Sequence, residues 1–284
     1  MHAYLPLHIL PIENQGCQIV FRAVINNHAA SLLVDTGASH TLFDRQRLER
    51  FGPLSTNHSV SYQAKGLGNE IDSFILDIGK LMFHGHRIDD YHAILMDLDA
   101  LSEIYTELLG EPIHGILGGD LLFKFDAIIN YKKQVIKLSK KKEPLFVLTL
   151  NHDTRHFLLK TQIQGHTANL IVDTGASTTV FNISTFHDLH PYNADDLRRN
   201  EQTSSGIHAE YIFQESIVLD KLEMGPFTFN GFQAMTLDLS NINQQYRLLG
   251  LPPVDGLIGS DFLLARKAVI NYRKRHIRIS KPKA

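Results

Sequence analysis

Two aspartates stand in nearly the same words of the sequence. Residues 32–44 read LLVDTGASHTLFD and residues 170–182 read LIVDTGASTTVFN, so Asp35 and Asp173 each follow an apolar run and each precede Thr-Gly-Ala-Ser. A carboxyl at the end of a buried strand is partly desolvated, which disfavours its charged form and costs the fold free energy. A lone acid of this kind serves equally well as a turn cap that binds backbone N–H groups. Two such acids face to face cannot both ionise; they share one proton and titrate as a pair, offering an acid and a base at one point. Gly37 supplies backbone freedom for the sharp turn and keeps side chains away from the acid. What decides between cap and chemistry is whether the chain can bring both copies to one axis.

The repeat extends well beyond these loops. Residues 127–140, AIINYKKQVIKLSK, return as AVINYRKRHIRISK at 268–281, identical at 8 of 14 positions, and HGILGGDLL at 114–122 returns as DGLIGSDFL at 255–263. The copies stand 138 residues apart at the acids (173 − 35) and 141 apart at the later blocks (259 − 118), a difference that loop variation absorbs. Such self-similarity marks two homologous halves, 1–141 and 142–284, with the boundary near Lys140 to Pro144. A pseudo-two-fold pairing of these halves would place both acids on the axis.

Within each half the hydrophobic period is mostly two. QIVFRAVI (18–25) and HFLLKTQI (156–163) read as strands followed by turn signals, with the Asp-bearing strand as the return arm of each hairpin. FILDIGKLMFHGHRI (74–88) and ESIVLDKLEMGPFTFNG (215–231) read as strand, turn, strand. One helix per half follows: Leu98, Leu101, Ile104, Tyr105 and Leu108 share a face that ends at Gly110 and Pro112, and Leu239, Ile242, Tyr246 and Leu249 share another that ends at Gly250.

Composition bounds the partners. A chain of 284 residues, 43% hydrophobic, can bury one large core or two ordinary ones. Lys and Arg number 28 against 30 Asp and Glu, a net charge of −2, so neither nucleic acid nor an anionic membrane surface is an expected partner. The basic runs Lys140-Lys141-Lys142 and Arg273-Lys274-Arg275 read as solvated strand ends. One cysteine, Cys17, excludes an intrachain disulfide and Cys-based metal sites, and a reducing compartment suits it. The opening MHAYLPLHILPIENQG lacks the charged lead and apolar run of about 7–15 residues of a secretory signal. No segment approaches the roughly 20 apolar residues of a membrane helix. A soluble, cytoplasmic protein is the expectation.

With these residues assembled, the chain resembles the retropepsin-like aspartic peptidases, relatives of the pepsins. The resemblance covers nearly the whole chain and rests on two elements per half: the Asp-Thr-Gly-Ala-Ser loop at Asp35 and Asp173, and the apolar-apolar-Gly blocks Ile116-Leu117-Gly118 and Leu257-Ile258-Gly259. It implies a mainly β fold, a tandem pair of acid-protease β-barrel domains related by a pseudo-two-fold, with one or two short helices per half. Gly118 and Gly259 would lie in psi-shaped crossings beside the Asp loops, supported by Gly37, Ala38, Gly175 and Ala176. Thr36 and Thr174 would exchange hydrogen bonds between the halves, although Thr also suits an ordinary strand. The implied activity is endopeptidase cleavage of extended protein or peptide segments by a water activated between Asp35 and Asp173, without cofactor or metal, in a monomer that is an intrachain pseudo-dimer. The alternative is a non-catalytic peptide-binding or regulatory module on the same fold.

Further expectations attach to that resemblance. Ala38 and Ala176 stand where some family members carry a Ser or Thr that donates to the carboxylate; without that donor the dyad pKa values should lie higher, and activity should peak from mildly acidic to near-neutral pH. Hairpin tips at Gly66 and Gly68 (YQAKGLGNEI) and at Gly206 (QTSSGIHAEY) are flap candidates that would close over substrate. Asp120 and Asp261 read as N-caps of short helices, and Asn130 and Asn271 as strand or turn hydrogen-bonders. The close histidine pairs 84/86, 152/156 and 187/190 come with no metal-ligand pattern and read as solvated.

Overall fold

The computed structural model describes residues 2–12, 16–51, 59–65, 70–139, 155–185, 202–205, 210–213 and 216–280. The boundary between the halves and all three flap-tip glycines, Gly66, Gly68 and Gly206, lie outside them, as do Lys140 to Lys142, His152, His187 and His190.

The first half runs β1 (His2–Ile12), β2 (Gly16–Ile25), β3 (His28–Val34), β4 (Leu42–Asp44), β5 (Ser59–Lys65), β6 (Glu70–Phe83), β7 (His86–Met96), α1 (Asp99–Leu109), β8 (Gly115–Leu117), α2 (Gly119–Lys124), β9 (Ile128–Asn130) and β10 (Val135–Ser139). The second repeats it: β11 (Leu158–Ile163), β12 (His166–Val172), β13 (Val180–Asn182), β14 (Gln202–Ser205), β15 (Glu210–Phe213), β16 (Ser216–Met224), β17 (Phe227–Leu237), α3 (Ser240–Leu248), β18 (Gly256–Ile258), α4 (Ser260–Ala265), β19 (Val269–Asn271) and β20 (His276–Arg278). Each half closes a six-stranded barrel. The first follows the order β2-β3-β8-β4-β7-β6, sealed by Ile25 against Phe83, and the second follows β11-β12-β18-β13-β17-β16, sealed by Gln162 and Ile163 against Glu223 and Leu222.

Local chemistry makes these strands. The turn between β2 and β3 is Asn26-Asn27, both with positive φ (47° and 69°), and the matching turn in the second half is Gln164-Gly165 (49° and 87°). Two successive left-handed residues match the right-handed twist of a tight hairpin, and Asn and Gly tolerate them best. β3 then runs through the buried Leu32, Leu33 and Val34 directly into Asp35.

The halves are one body. β9 and β19 pair antiparallel about the pseudo-axis, Ile129 opposite Ile270, in a sheet ordered β20-β19-β9-β10-β1. One apolar cluster holds Phe21, Leu32 and Leu117 of the first half together with Phe181, Ile258 and Leu263 of the second. The opposite face of that sheet bears a shallow groove of about 270 Å³ lined by Lys133, Lys137, Lys274 and Arg278 among others; it contains neither Asp35 nor Asp173. No described helix is long and apolar enough to cross a membrane.

The helices bury narrower faces than their sequences suggest. Leu98, Leu101 and Tyr105 are buried, but Ile104 and Leu108 are 45% and 53% exposed, and Leu249 is likewise exposed after α3. Each helix packs on a small apolar cluster of its own, so a single turn-to-turn stripe suffices.

Candidate active site

The Asp loops are held by a crossing that the blocks Gly115–Leu117 and Gly256–Ile258 create. β8 pairs parallel with β3 and antiparallel with β4, so it lies between the two arms of the loop that carries Asp35. β18 does the same between β12 and β13 around Asp173. The ladder runs on into the acids, whose own N–H groups donate to Leu117 and Ile258 carbonyls at 3.0 and 2.9 Å. So close is the crossing that a Cβ on Gly118 would fall 2.3 Å from the His40 carbonyl oxygen, and one on Gly259 would fall 2.5 Å from the Thr178 carbonyl carbon.

Asp120 and Asp261 lock that crossing and do not cap their helices; the N-caps of α2 and α4 are Gly118 and Gly259. Asp120 accepts from the Thr41 amide (2.7 Å) and hydroxyl (2.6 Å) and from Tyr91 Oη (3.0 Å), while Asp261 accepts from the Thr179 amide and hydroxyl at 3.0 and 2.7 Å. Thr41 and Thr179 hydroxyls in turn receive the Gly118 and Gly259 amides. The sequence did carry a signal for these four residues: each Thr and each Asp recurs in the other half.

Between the halves, Thr36 and Thr174 exchange hydrogen bonds. Each hydroxyl accepts the other's backbone N–H at 3.0 Å; Thr36 Oγ1 donates to the Val172 carbonyl at 2.6 Å and Thr174 Oγ1 to the Val34 carbonyl at 2.7 Å. Both threonines are fully buried, so all four bonds form away from competing water. This grip brings the two acids together. Asp35 and Asp173 are 9% and 8% exposed, and each carboxyl is packed against the glycine of the opposite Asp loop.

Each acid also caps its own turn. Asp35 Oδ1 accepts the Gly37 and Ala38 amides at 2.7 and 3.0 Å, and Asp173 Oδ1 the Gly175 and Ala176 amides at 2.8 and 3.1 Å. Turn-capping and pairing of the acids are thus realised in the same residues. The glycines act differently from the expectation: neither has a positive φ. A Cβ on Gly37 would stand 2.4 Å from Asp173 Oδ2, and one on Gly175 2.4 Å from Asp35 Cγ, so each glycine makes room for the opposite carboxyl.

Electrostatics follow from this enclosure. Burial raises the Asp35 carboxyl well above the usual range, and Asp173 beside it pushes further in the same direction, against the Gly37 and Ala38 amides. Burial also raises Asp173, opposed by a hydrogen bond from Asp35 and by the amides of Gly175, Ala176 and Gly37. The pair therefore titrates as a unit, losing its two protons in separate steps.

Two more residues cross between the halves at equivalent positions, and neither stood out in the sequence. Gln18 Nε2 donates to the Gly175 carbonyl at 3.2 Å. Its counterpart His156 meets Tyr246 Oη at 2.7 Å through Nδ1 and lies 3.3 Å from Ser39 Oγ of the other half through Nε2. Burial pushes His156 down to about 4, so it is neutral around the site at physiological pH. His84, also held near 4 by burial, accepts the Val24 amide; these two histidines are packed and not solvated. Asn130 and Asn271 side chains accept the Lys133 and Lys274 amides in their turns. Among the described residues no group of three or more His, Cys, Asp or Glu is placed to hold a metal ion.

β5 pairs with the first seven residues or so of β6, and β14 pairs with β15 over four residues, each pair converging toward a tip outside the described residues. Among the described residues the paired arm β5 has seven residues and its counterpart β14 four.

A family model described as aspartyl protease matches the chain twice, over residues 21–121 and 159–262. No curated protein matches it.

Proposed function

Because the chain belongs to the aspartyl protease family, both of whose matched segments carry one acid of the pair, we propose that it is an endopeptidase in which Asp35 and Asp173 together activate a water. The ionised carboxyl takes a proton from that water, and the protonated one donates a hydrogen bond to the scissile carbonyl oxygen. Addition of hydroxide equivalent to the carbonyl carbon gives a tetrahedral diol; proton delivery to the amide nitrogen then breaks the C–N bond. The observation that carries this reading is the approach of two buried carboxyls, each packed against the glycine of the opposite loop, on loops pinned to each other by Thr36 and Thr174. A binding module has no use for that pairing, which costs stability.

The substrate is an extended polypeptide segment. The two hairpins supply strand edges to which such a segment can add, with Gly66, Gly68 and Gly206 as the tips that close over it. Hairpins of unequal sequence make the cleft asymmetric, which suits a monomer whose two sides read different substrate residues. A buried, unoxidised Cys17 fits a reducing, cytoplasmic setting.

The test is cleavage of a mixed peptide library by the wild type and by Asp35→Asn and Asp173→Asn across pH 3–9. We expect internal cleavages from the wild type, a bell-shaped profile with its maximum from mildly acidic to near-neutral pH, and loss of turnover in both variants. No cleavage by the wild type at any pH would favour the binding module. Wild-type rates in either variant would end the shared-dyad mechanism.

A further inference from the structure

The two halves repeat the threonine and amide frame of the site, and one difference behind the acids is chemically specific. After the crossing glycine the first half has Gly119 and the second has Ser260. The backbone frame is the same: the Gly119 amide donates to the Ala38 carbonyl and the Ser260 amide to the Ala176 carbonyl, both at 2.8 Å. Behind Ser260 stands a tyrosine from the opposite half, Tyr131, and Tyr272 is its counterpart in the repeat, in a matching backbone setting (Tyr131 amide to Ala268 carbonyl, 3.0 Å; Tyr272 amide to Ala127 carbonyl, 2.9 Å).

Only one side is connected. Tyr131 Oη lies 3.0 Å from Ser260 Oγ, and Ser260 Oγ donates to the Thr174 carbonyl at 3.0 Å, so the serine's proton is committed and the tyrosine must be the donor to it. The Thr174 carbonyl belongs to the same peptide unit as the Gly175 N–H, which donates to Asp173 Oδ1 at 2.8 Å. A donor on the carbonyl end polarises the peptide and strengthens its N–H as a donor at the other end. On the other side Gly119 has no hydroxyl to offer the Thr36–Gly37 peptide, and Tyr272 Oη, buried at 1% exposure, has no hydrogen-bond partner among the described residues.

We infer that Asp173 carries the charge of the pair and Asp35 its proton, because the chain Tyr131–Ser260–(Thr174–Gly175 peptide) ends on Asp173 and has no counterpart behind Asp35. Tyr131 and Ser260 are positioning residues in this scheme, acting through the peptide. Asp173 then serves as the base toward water and Asp35 as the donor to the scissile carbonyl. The inference rests on the shared-dyad reading above. Each acid accepts two backbone amides, Gly37 and Ala38 for Asp35 and Gly175 and Ala176 for Asp173, so the difference between them lies in the Tyr131–Ser260 chain. The titratable groups facing Asp173 and its support are Asp35 across the pair, Asp261 on α4, Cys17 on β2, and the hydroxyls of Tyr131 and Tyr272. Of these only Asp35 and Asp261 are carboxyls, so the carboxyl signals can be assigned by single substitution.

The experiment is a carboxyl ¹³C NMR titration of the whole protein labelled at aspartate, made in Asp35→Asn, where Asp173 is left, and in Asp173→Asn, where Asp35 is left. We expect the remaining Asp173 to titrate at lower pH than the remaining Asp35. Adding Tyr131→Phe or Ser260→Ala should move Asp173 upward and leave Asp35 in place; Tyr131→Phe, which removes one oxygen, keeps the test available if Ser260→Ala disturbs the loop. In the otherwise wild-type chain, Tyr131→Phe should lower kcat/KM about 2- to 10-fold, the effect of one hydrogen bond, and shift the acidic limb of the pH profile upward. Equal titration of the two acids, the reverse order, or an equal response of both to Tyr131→Phe would overturn the inference. Because the titration needs no substrate, a chain that cleaves nothing would sink the peptidase reading without deciding this one.

Discussion

Gly37→Ala tests the closeness of the two loops without reference to activity. Gly37 has no positive φ, so alanine meets no backbone penalty there, and the whole effect must come from its Cβ. That atom would stand 2.4, 2.5 and 2.8 Å from Oδ2, Cγ and Oδ1 of Asp173, about an ångström inside the closest comfortable approach of such atoms. The carboxyl cannot swing aside cheaply, because Oδ1 is fixed by two amides and the loop behind it by the threonine grip. The overpacking range is about 1–3 kcal/mol, and a clamped target puts this case at the upper end, near 3 kcal/mol. In a chain of this size that corresponds to a fall in Tm of roughly 6–12 °C. The control is the same substitution in Asp173→Ala, where the atoms that Cβ meets are gone; there we expect a further cost below about 1 kcal/mol, so the cycle should show strong coupling. Calorimetric or circular-dichroism melts of the four proteins decide it. An equal loss of stability in both backgrounds would refute the geometry, since it would locate the effect in the glycine itself and not in the opposite acid.

Other outcomes follow from the same site. Both carboxyls are raised above their unfolded values, so the stability they contribute is complete below the unfolded pKa and is lost as pH climbs through the folded one; Asp35→Asn should therefore raise Tm at pH 7–8, with a gain that shrinks toward pH 4, each unit of raised pKa being worth about 1.4 kcal/mol. A gain independent of pH would contradict this. Thr36→Val keeps the shape but leaves the Thr174 amide without its acceptor and the Val172 carbonyl without its donor, for a loss of roughly 2–5 kcal/mol in denaturant titration; a loss under 1 kcal/mol would mean the grip is not what holds the loops. Cys17 is 1% exposed with its thiol pushed up to about 11 by burial, so it should resist a disulfide reagent at pH 8 in the native chain and react fully in denaturant. Rapid native labelling would show that β2 opens locally.

The sequence by itself determined a great deal here, because a duplicated chain records its own symmetry. The repeats of LLVDTGAS and of the blocks ending at Gly118 and Gly259 are local patterns, and each local pattern folds into the same local object: strand, acid, crossing. Asn26-Asn27 and Gln164-Gly165 announced their turns for the same reason, since the φ they adopt is a property of two residues. What spacing cannot encode is which side chain meets which across the pseudo-axis. Gly37 looked like a turn residue and is a gap for Asp173; Asp120 looked like a cap and is an anchor for Thr41; Ile104 and Leu108 looked like core and face outward because the small cluster under the helix takes only one stripe of it. The difference between Gly119 and Ser260 was visible as one letter between GGD and GSD, yet its meaning depends on Tyr131, 129 residues away, arriving within 3.0 Å. Contacts of that kind are set by packing two barrels around one core, where the partners come from opposite halves and only the tertiary fold brings them within reach.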